Sequence, residues 1–418
     1  MFHVELAVAV SGAPPSWRGV LAAGQGPPAR FAQYTGGVLR VLELQDESDS
    51  RAACAAAGRS HGDPNLRGWV ALLPAQPALL HEGLRQSGVP VLRGERGALA
   101  LGSLSQLWSA ASSLADALED GGARALAAEL ARRAGHVEAR PPWSLPRSRF
   151  PEGRTLVMAV LNVTPDSFSD GGRYAAADAA VEHGLRLAAE GADLLDVGGE
   201  STRPGSQPVS AEEELRRTLP VVRELVRRAG IPVSIDTTKA EVARAAIDAG
   251  AEVVNDVSGL LRDPGLGPVV ARSGAALCLM HTRGTPQDMQ QRATYRDLLG
   301  EVHDELLEAL RRGLEAGVRE DRIALDPGLG FAKIAEHNLL LLRRLRELTQ
   351  LGRPLLVGAS RKSFLGKLSG KPAAERLTAS IAAASVAALH GASVVRVHDV
   401  AATREALSVV DAVRSSSS

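Results

Sequence analysis

Beyond residue 155 the chain alternates short, almost wholly apolar runs with longer stretches whose apolar positions recur at helical spacing. The runs fall at 156–161, 194–197, 233–235, 253–254, 276–280, 323–325, 355–357 and 394–397. Helical stretches follow each, at 176–190, 211–228, 240–249, 265–273, 295–316, 336–348, 374–389 and 402–413. Gly191, Gly230, Gly250, Gly274 and Gly391 stand where several of these helices should stop. Near-continuous apolar strands separated by amphipathic helices predict a parallel sheet covered on its outer face. Eight such units in about 260 residues predict a (β/α)8 TIM barrel, and the count of eight disfavours a doubly wound open sheet.

The first 150 residues follow another plan. Phe2, Val4, Leu6, Val8 and Val10 alternate as a half-buried strand does, and 38–44, 69–73 and 89–92 are further strand candidates. Helical patterns fit 76–86, 104–118 and 123–134. All four Trp (17, 69, 108 and 143) lie in this part, which predicts a separate core. The expectation is a small mixed α/β extension over 1–139, a Pro- and Arg-rich linker over 140–154 and the barrel over 155–418. No phosphate loop, metal-ligand pair or nucleophile arrangement stands out in the extension, and His61-Gly-Asp63 reads as a turn.

Composition narrows the function. A formal net charge of zero recommends neither nucleic acid nor an anionic membrane as partner. No apolar run approaches the roughly 18 residues that span a bilayer, and the N-terminus lacks the basic region of a secretory signal. Two isolated cysteines, Cys54 and Cys278, suit a reducing, cytoplasmic setting. Lys occurs only at 239, 333, 362, 367 and 371, and Asn only at 65, 162, 255 and 338. In a chain this rich in Arg, a retained Lys suggests a need for a compact point charge.

Scarce residues gather just past the predicted strand ends, where barrel enzymes carry their reactive groups. In order these positions are Asn162; Asp196 with Glu200, Thr202 and Arg203; Asp236; Asn255-Asp256; His281; Asp326; Ser360-Arg361-Lys362; and Arg396 with His398. Asp196, Asp236, Asn255 and Asp326 suit the edge of a heterocycle bearing amide and amino groups. Arg203, Lys362, Arg396 and His398 suit phosphate or carboxylate oxygens. The rim asks for a ligand with one planar polar end and one anionic end, although Asp196 and Asp256 equally suit bracing of neighbouring loops.

The motifs LNVTPDSFSDGG at 161–172, GGESTRPG at 198–205, SIDTTK at 234–239 and NDVSG at 255–259 are followed by four more. These are MHTRGTPQDMQ at 280–290, DPGLGFAK at 326–333, GASRKSFLG at 358–366 and RVHDV at 396–400. In this order they make residues 155–413 resemble dihydropteroate synthase; the extension lies outside the resemblance. The resemblance implies a transferase of folate biosynthesis that joins 4-aminobenzoate to (7,8-dihydropterin-6-yl)methyl diphosphate and releases pyrophosphate. It implies that Asp236, Asn255, Asp326 and Lys362 hold the pterin, with Met280 and Phe331 against its faces. Asn162, Arg396 and His398 would form the diphosphate site, Asn162 also ligating Mg2+. Thr202, Arg203, Pro204, Ser360 and Phe168 would line the aminobenzoate site, with Asn162, Arg203, Lys362, Arg396 and His398 carrying the catalysis. A homodimer through the barrel helices is also implied. Leu329, Ala332, Thr282 and Arg283 depart from the usual motif without removing a required charge or amide. A corrinoid methyltransferase barrel is the nearest rival, and TRPG, SRK and RVHDV weigh against it; a metal hydrolase lacks closely spaced ligands.

Overall fold

The computed structural model describes residues 39–57, 66, 68–76, 78–138, 141–163 and 173–416. The expected strand at 2–10, the His61–Asp63 turn and Phe168 lie outside these residues. An antiparallel sheet in the order β1-β2-β4-β3 contains β1 (Arg40–Leu44), β2 (Gly68–Pro74), β3 (Val91–Arg93) and β4 (Gly97–Leu101). Helices α1 (Glu47–Ala56), α2 (Ala78–Gln86), α3 (Leu104–Ala117) and α4 (Gly121–Glu138) accompany it. Two of these elements escape the sequence pattern. The apolar positions of α1 are Ala and Cys, too small to mark a periodicity, and β4 is GALAL, whose Gly and Ala have weak strand propensity.

The second sheet has eight parallel strands: β5 (Leu156–Asn162), β6 (Leu194–Gly198), β7 (Val233–Asp236), β8 (Val253–Asp256), β9 (Ala276–Met280), β10 (Ile323–Asp326), β11 (Leu356–Val357) and β12 (Val394–Val397). They run β10-β9-β8-β7-β6-β5-β12-β11, and a parallel bridge between Leu325 and Leu355 joins the two ends, as a TIM barrel requires. Among the described residues the outer layer comprises α5 (Arg173–Ala189), α6 (Ala211–Arg228), α7 (Ala240–Asp248), α8 (Leu266–Ser273), α9 (Leu298–Glu315), α10 (Ala335–Arg343), α11 (Ser363–Ser369), α12 (Leu377–Leu389) and α13 (Val400–Ser415). The helix predicted from 295 starts at Leu298 because the Asp297 side chain caps the Gly300 N–H at 3.1 Å. The helix predicted over 336–348 ends at Arg343 and passes into a 3-10 segment, Leu345–Leu351, whose buried polar groups serve the first sheet. No helix among the described residues is long and apolar enough to cross a membrane.

Strand alternation fills the barrel. Leu156 and Met158, Leu194, Val253, Ala276 and Cys278, Ala324, Leu356 and Val394 form one interior cluster. Their chain neighbours Val157, Leu195, Val254, Leu277, Leu325 and Val395 pack outward in the helix-facing core. Trp143, grouped with the extension by composition, is buried in the barrel's interior cluster, and its Nε1–H donates to the Arg322 carbonyl at 2.9 Å. The Pro-rich stretch therefore lies across one end of the barrel, with Leu145 and Phe150 packed beside Trp143.

The free edge of β1 is covered by side chains of the 3-10 segment. Gln350 accepts from Val41 N–H at 3.1 Å and donates to Val41 C=O at 3.0 Å, while Glu347 accepts from Glu43 N–H at 3.1 Å. These bonds do what a neighbouring strand would do for an exposed edge. Arg344 lies between Asp49 and Glu347, all three nearly fully buried. Arg40 bonds the α9 end through Asp297, the Gly300 carbonyl and Asp304, and Arg133 reaches His303 at 3.1 Å. A cavity of about 10 Å³ remains in this seam. Arg344→Ala would strand two buried carboxylates, so it should cost about 3–5 kcal/mol; a urea midpoint within error of the parent would contradict this reading.

Candidate active site

The same alternation, carried one step further along each strand, builds the polar mouth. Asn162 follows Met158 and Val160, Asp196 follows Leu194, Asp236 follows Ser234, and Asn255 follows Val253. Met280 follows Cys278, Asp326 follows Ala324, and Arg396 then His398 follow Val394. A period of two thus places apolar groups deep in the barrel and polar groups at the strands' carboxyl ends on one inward face. Asp256 has the opposite parity. Its carboxylate accepts from the Ser258 N–H at 2.8 Å and the Leu260 N–H at 2.6 Å, so it braces the loop.

Arg396 organises the mouth. Its Nε donates to Asp196 Oδ2 at 2.6 Å and its Nη2 to Asp236 Oδ2 at 2.8 Å. Asn255 Nδ2 donates to the same Asp196 oxygen at 3.0 Å, while Asp196 Oδ1 is buried with no partner among the described residues. Burial pushes the Asp236 carboxyl upward, against the pull of Arg396. Burial likewise raises Asp326, opposed first by Lys362, and lowers the Lys362 ammonium to about 8 despite Asp326. Lys362 also bonds the Leu329 carbonyl and stands 4.5 Å from the Phe331 ring centre. His398 Nδ1 lies 2.9 Å from Ser360 Oγ; burial, then Arg396, lowers its imidazole to about 4, leaving it neutral.

The predicted residues are not equally engaged. Asp236, Asn255, Arg396, Asp326, Lys362, Phe331, Ser360 and His398 join these bonded or electrostatically coupled groups. Asn162 lies at the rim of β5: a Cβ added to Gly198 would meet Asn162 Oδ1 at 3.6 Å and Asp236 Oδ2 at 3.7 Å. Gly198 thereby leaves space between them. Met280 is buried beneath the 326–333 loop. Thr202 is half-buried and Arg203 and Pro204 are exposed on the loop after β6, where Arg203 acts on His398 through charge. That loop touches the one after β9, with Gly205 N–H donating to Pro286 C=O at 2.9 Å. Phe168 lies outside the described residues.

Asp196, which the sequence left open between a ligand-facing and a loop-bracing role, is fully buried in the Arg396 network. One group was missing from the predicted site. Lys333 is buried under the Asp326 loop, signalled by the scarcity of Lys.

A family model for pterin binding enzymes matches residues 158–398, more than half of the chain. The dihydropteroate synthase of Mycobacterium leprae is 51% identical over 263 residues, covering 61% of this chain and 92% of that one. The chain belongs to the dihydropteroate synthases, within the pterin-binding enzymes. A Xanthomonas albilineans dihydropteroate synthase solved with 4-aminobenzoic acid has a TM-score of 0.60 and 49% identity, over 63% of this chain and 94% of that one. The same species' dihydropteroate synthase in complex with 7,8-dihydropteroate has a TM-score of 0.58 and 46% identity, over 63% and 95%. These dihydropteroate synthases align with the barrel's share of the chain, and the chain is accordingly a transferase.

Arg396→Met tests the charge balance of this synthase mouth. A carboxyl raised in the folded state binds a proton there that the unfolded chain has released, so its stability contribution falls as pH rises above the ordinary carboxylate range. Removing Arg396 takes away the largest charge opposing that rise at Asp236. The variant's deficit should be small in acid and grow toward about 3–5 kcal/mol in alkali. Urea unfolding across pH reads it, and a deficit independent of pH contradicts it.

Proposed function

We propose that the barrel joins 4-aminobenzoate to (7,8-dihydropterin-6-yl)methyl diphosphate, yielding 7,8-dihydropteroate and pyrophosphate as a step of folate biosynthesis. The observation that carries this reading is the division of the mouth into a carboxylate-and-amide half and a cationic half, joined by Arg396. Asp236, Asn255 and Asp326 offer acceptors and a donor for the amide and amino edge of a pterin, and Asp196 Oδ1 adds a buried acceptor. Lys362 would reach the keto side, with Met280 and Phe331 against the ring faces. A planar ring that pairs with several buried groups is selected over one that leaves them unpaired.

The anionic end would lie by Asn162, Arg396 and His398. Arg396 has N–H groups beyond those given to Asp196 and Asp236. With His398 Nδ1 accepting from Ser360 Oγ, the neutral ring carries its proton on Nε2, where it can donate to a leaving oxygen. Preorganised donors at a site of developing charge stabilise departure. Thr202, Arg203, Pro204, Ser360 and Phe168 would hold 4-aminobenzoate, whose neutral amine attacks the pterin methylene carbon without a strong base. Water must be kept away during that step, and the meeting of the loops after β6 and β9 contributes to this.

Mg2+ fits as an ion carried in with the diphosphate. Asn162 Oδ1 is a hard oxygen donor, Gly198 leaves the space beside it open, and Mg2+ commonly takes few protein ligands and several phosphate oxygens. Bound there, it would neutralise charge on the leaving group. Among the described residues there is no cluster of three His, Cys, Asp or Glu that would hold a metal by itself.

We read residues 1–139 as a separate module whose described residues meet the barrel at the Arg40, Arg133 and Arg344 seam, with 140–154 as the connection. We also propose a homodimer through the exposed apolar side chains Leu339, Leu377, Val386, Leu389, Val409 and Val413 of α10, α12 and α13. Light scattering should give twice the chain mass; a monomer at micromolar concentration refutes this. A cytoplasmic setting agrees with two buried, unpaired cysteines.

The chemistry is tested by pyrophosphate release from the dihydropterin diphosphate with Mg2+, with and without 4-aminobenzoate. Release should depend on 4-aminobenzoate and match dihydropteroate formation, and an Arg396→Ala, His398→Ala double variant should lose about a hundredfold or more in kcat. Release with no dihydropteroate, or full turnover by the double variant, overturns the assignment.

A further inference from the structure

Beneath the mouth lies a second buried polar cluster that the proposed chemistry does not use. Lys333 is 3% exposed, and its Nζ lies 2.9 Å from His281 Nδ1 and donates to the Phe331 carbonyl at 3.0 Å. The His281 ring is held neutral, lowered to about 4 by burial and then by Lys333. Its Nε2 lies 3.0 Å from Glu305 Oε2 on α9, within ion-pair distance but out of hydrogen-bond alignment. Glu305 in turn bonds Arg283.

The backbone above this cluster is the 326–333 loop, which is held at nearly every residue. His281 N–H donates to the Asp326 carbonyl at 2.8 Å. The loop passes so close over His281 that a Cβ on Gly328 would meet its carbonyl oxygen at 2.0 Å. Gly330 N–H donates to Asn338 Oδ1 at 2.6 Å, and the Ala332 carbonyl accepts from Tyr295 OH at 2.9 Å. Ala332 has φ +47°, a left-handed conformation that a residue with a Cβ adopts only when its surroundings impose it. The loop also supplies the Leu329 carbonyl that holds Lys362, and Phe331, over which Lys362 lies.

We propose that Lys333 is a positioning residue of the pterin site, its ammonium tying the 326–333 loop to His281 from below and supplying counter-charge to Asp326. The proposal rests on the pterin reading given above. Lys333 touches no substrate; it acts through Asp326, Phe331 and Lys362. The charged and titratable groups around it are Asp326 at the end of β10, Lys362 after β11, His281 after β9, Glu305 on α9, and Arg283 and Tyr295 between β9 and α9. Burial, against the pull of Asp326, brings the Lys333 ammonium down to about 7. The ammonium is therefore filled below that pH and lost as pH rises through it, so pterin binding should weaken over that interval.

The experiment is steady-state kinetics of the full chain from about pH 6 to pH 9, with Lys333→Met and Lys333→Arg beside the parent. Parent turnover tests the pterin reading by itself, and the variants test the proposal only once the parent turns over. Lys333→Met should raise KM for the dihydropterin diphosphate about tenfold, leave KM for 4-aminobenzoate near the parent value and remove the part of the pterin KM's pH dependence centred near pH 7, leaving the part near pH 8 that Lys362 contributes. Lys333→Arg, which keeps its charge, should restore most of the affinity and move the weakening to higher pH. If Lys333→Met fails to fold, Lys333→Arg and the parent profile decide. A parent pterin KM that is flat across this range overturns the proposal. So does a variant that loses thermal stability while the KM values and their pH dependence stay as in the parent.

Discussion

Three carboxylates, Asp196, Asp236 and Asp326, sit nearly dry at the barrel mouth, and the structure around them is arranged to oppose their charge. Isolated carboxylates at such depth would take up protons and lose their value as acceptors. Arg396 spans two of them, and Lys362 is the strongest charge opposing the rise of the third, with Lys333 below it. The balance is incomplete: Asp236 and Asp326 remain raised by burial, and Asp196 Oδ1 has no partner among the described residues. A ligand that brings N–H groups to these oxygens completes what the protein leaves open. Affinity for a donor-rich heterocycle is thus the counterpart of unsatisfied polar groups, and these also make the unliganded mouth a point of lower stability.

The strand period and the loops divide the work. Strands deliver Asp196, Asp236, Asn255, Asp326 and Arg396 on a frame whose register is fixed by parallel hydrogen bonding. Loops bring Arg203, Phe331, Ser360 and Lys362, and these need their own anchors. The segment after β11 is one case: Arg361 has φ +59°, held by two bonds to Asp399 and by the Ser380 hydroxyl accepting from its N–H. The 326–333 loop is the other, with His281 beneath it. Strain is stored in both places: the Arg361–Asp399 ion pair holds the first, and the Lys333 ammonium, bonded to the neutral His281 ring and the Phe331 carbonyl, holds the second.

The α9 helix joins the two sheets electrostatically. Asp297 at its cap, with His303 and Asp304 in its first turns, faces Arg40 and Arg133, whereas Glu301 and Glu305 on the same turns hold Arg283 beside His281. The covered edge of β1 needs the 3-10 segment after α10, and that segment needs β1 to pair Gln350 and Glu347. Each side satisfies buried polar groups of the other, which makes the seam specific more than it makes it strong.

The barrel was legible in the chain because eight apolar runs and eight amphipathic stretches leave one compact solution for a parallel sheet, and strand ends could be read to within a residue or two. The polar rim was legible for the same reason, since its residues follow each run directly. Short-range pattern could not distinguish Asp196 from Asp256, one turned into the mouth and the other into its own loop, because parity becomes visible only once the register is known. Nor could it place Trp143 in the barrel, find the Ala-rich α1 and β4, or show that Lys333 meets His281 across 52 positions of chain. Those contacts depend on which surfaces meet after folding. Sequence determined which groups are available and roughly where each strand ends; tertiary structure decided which charges share a buried volume, and therefore which of them shift, pair or await a ligand.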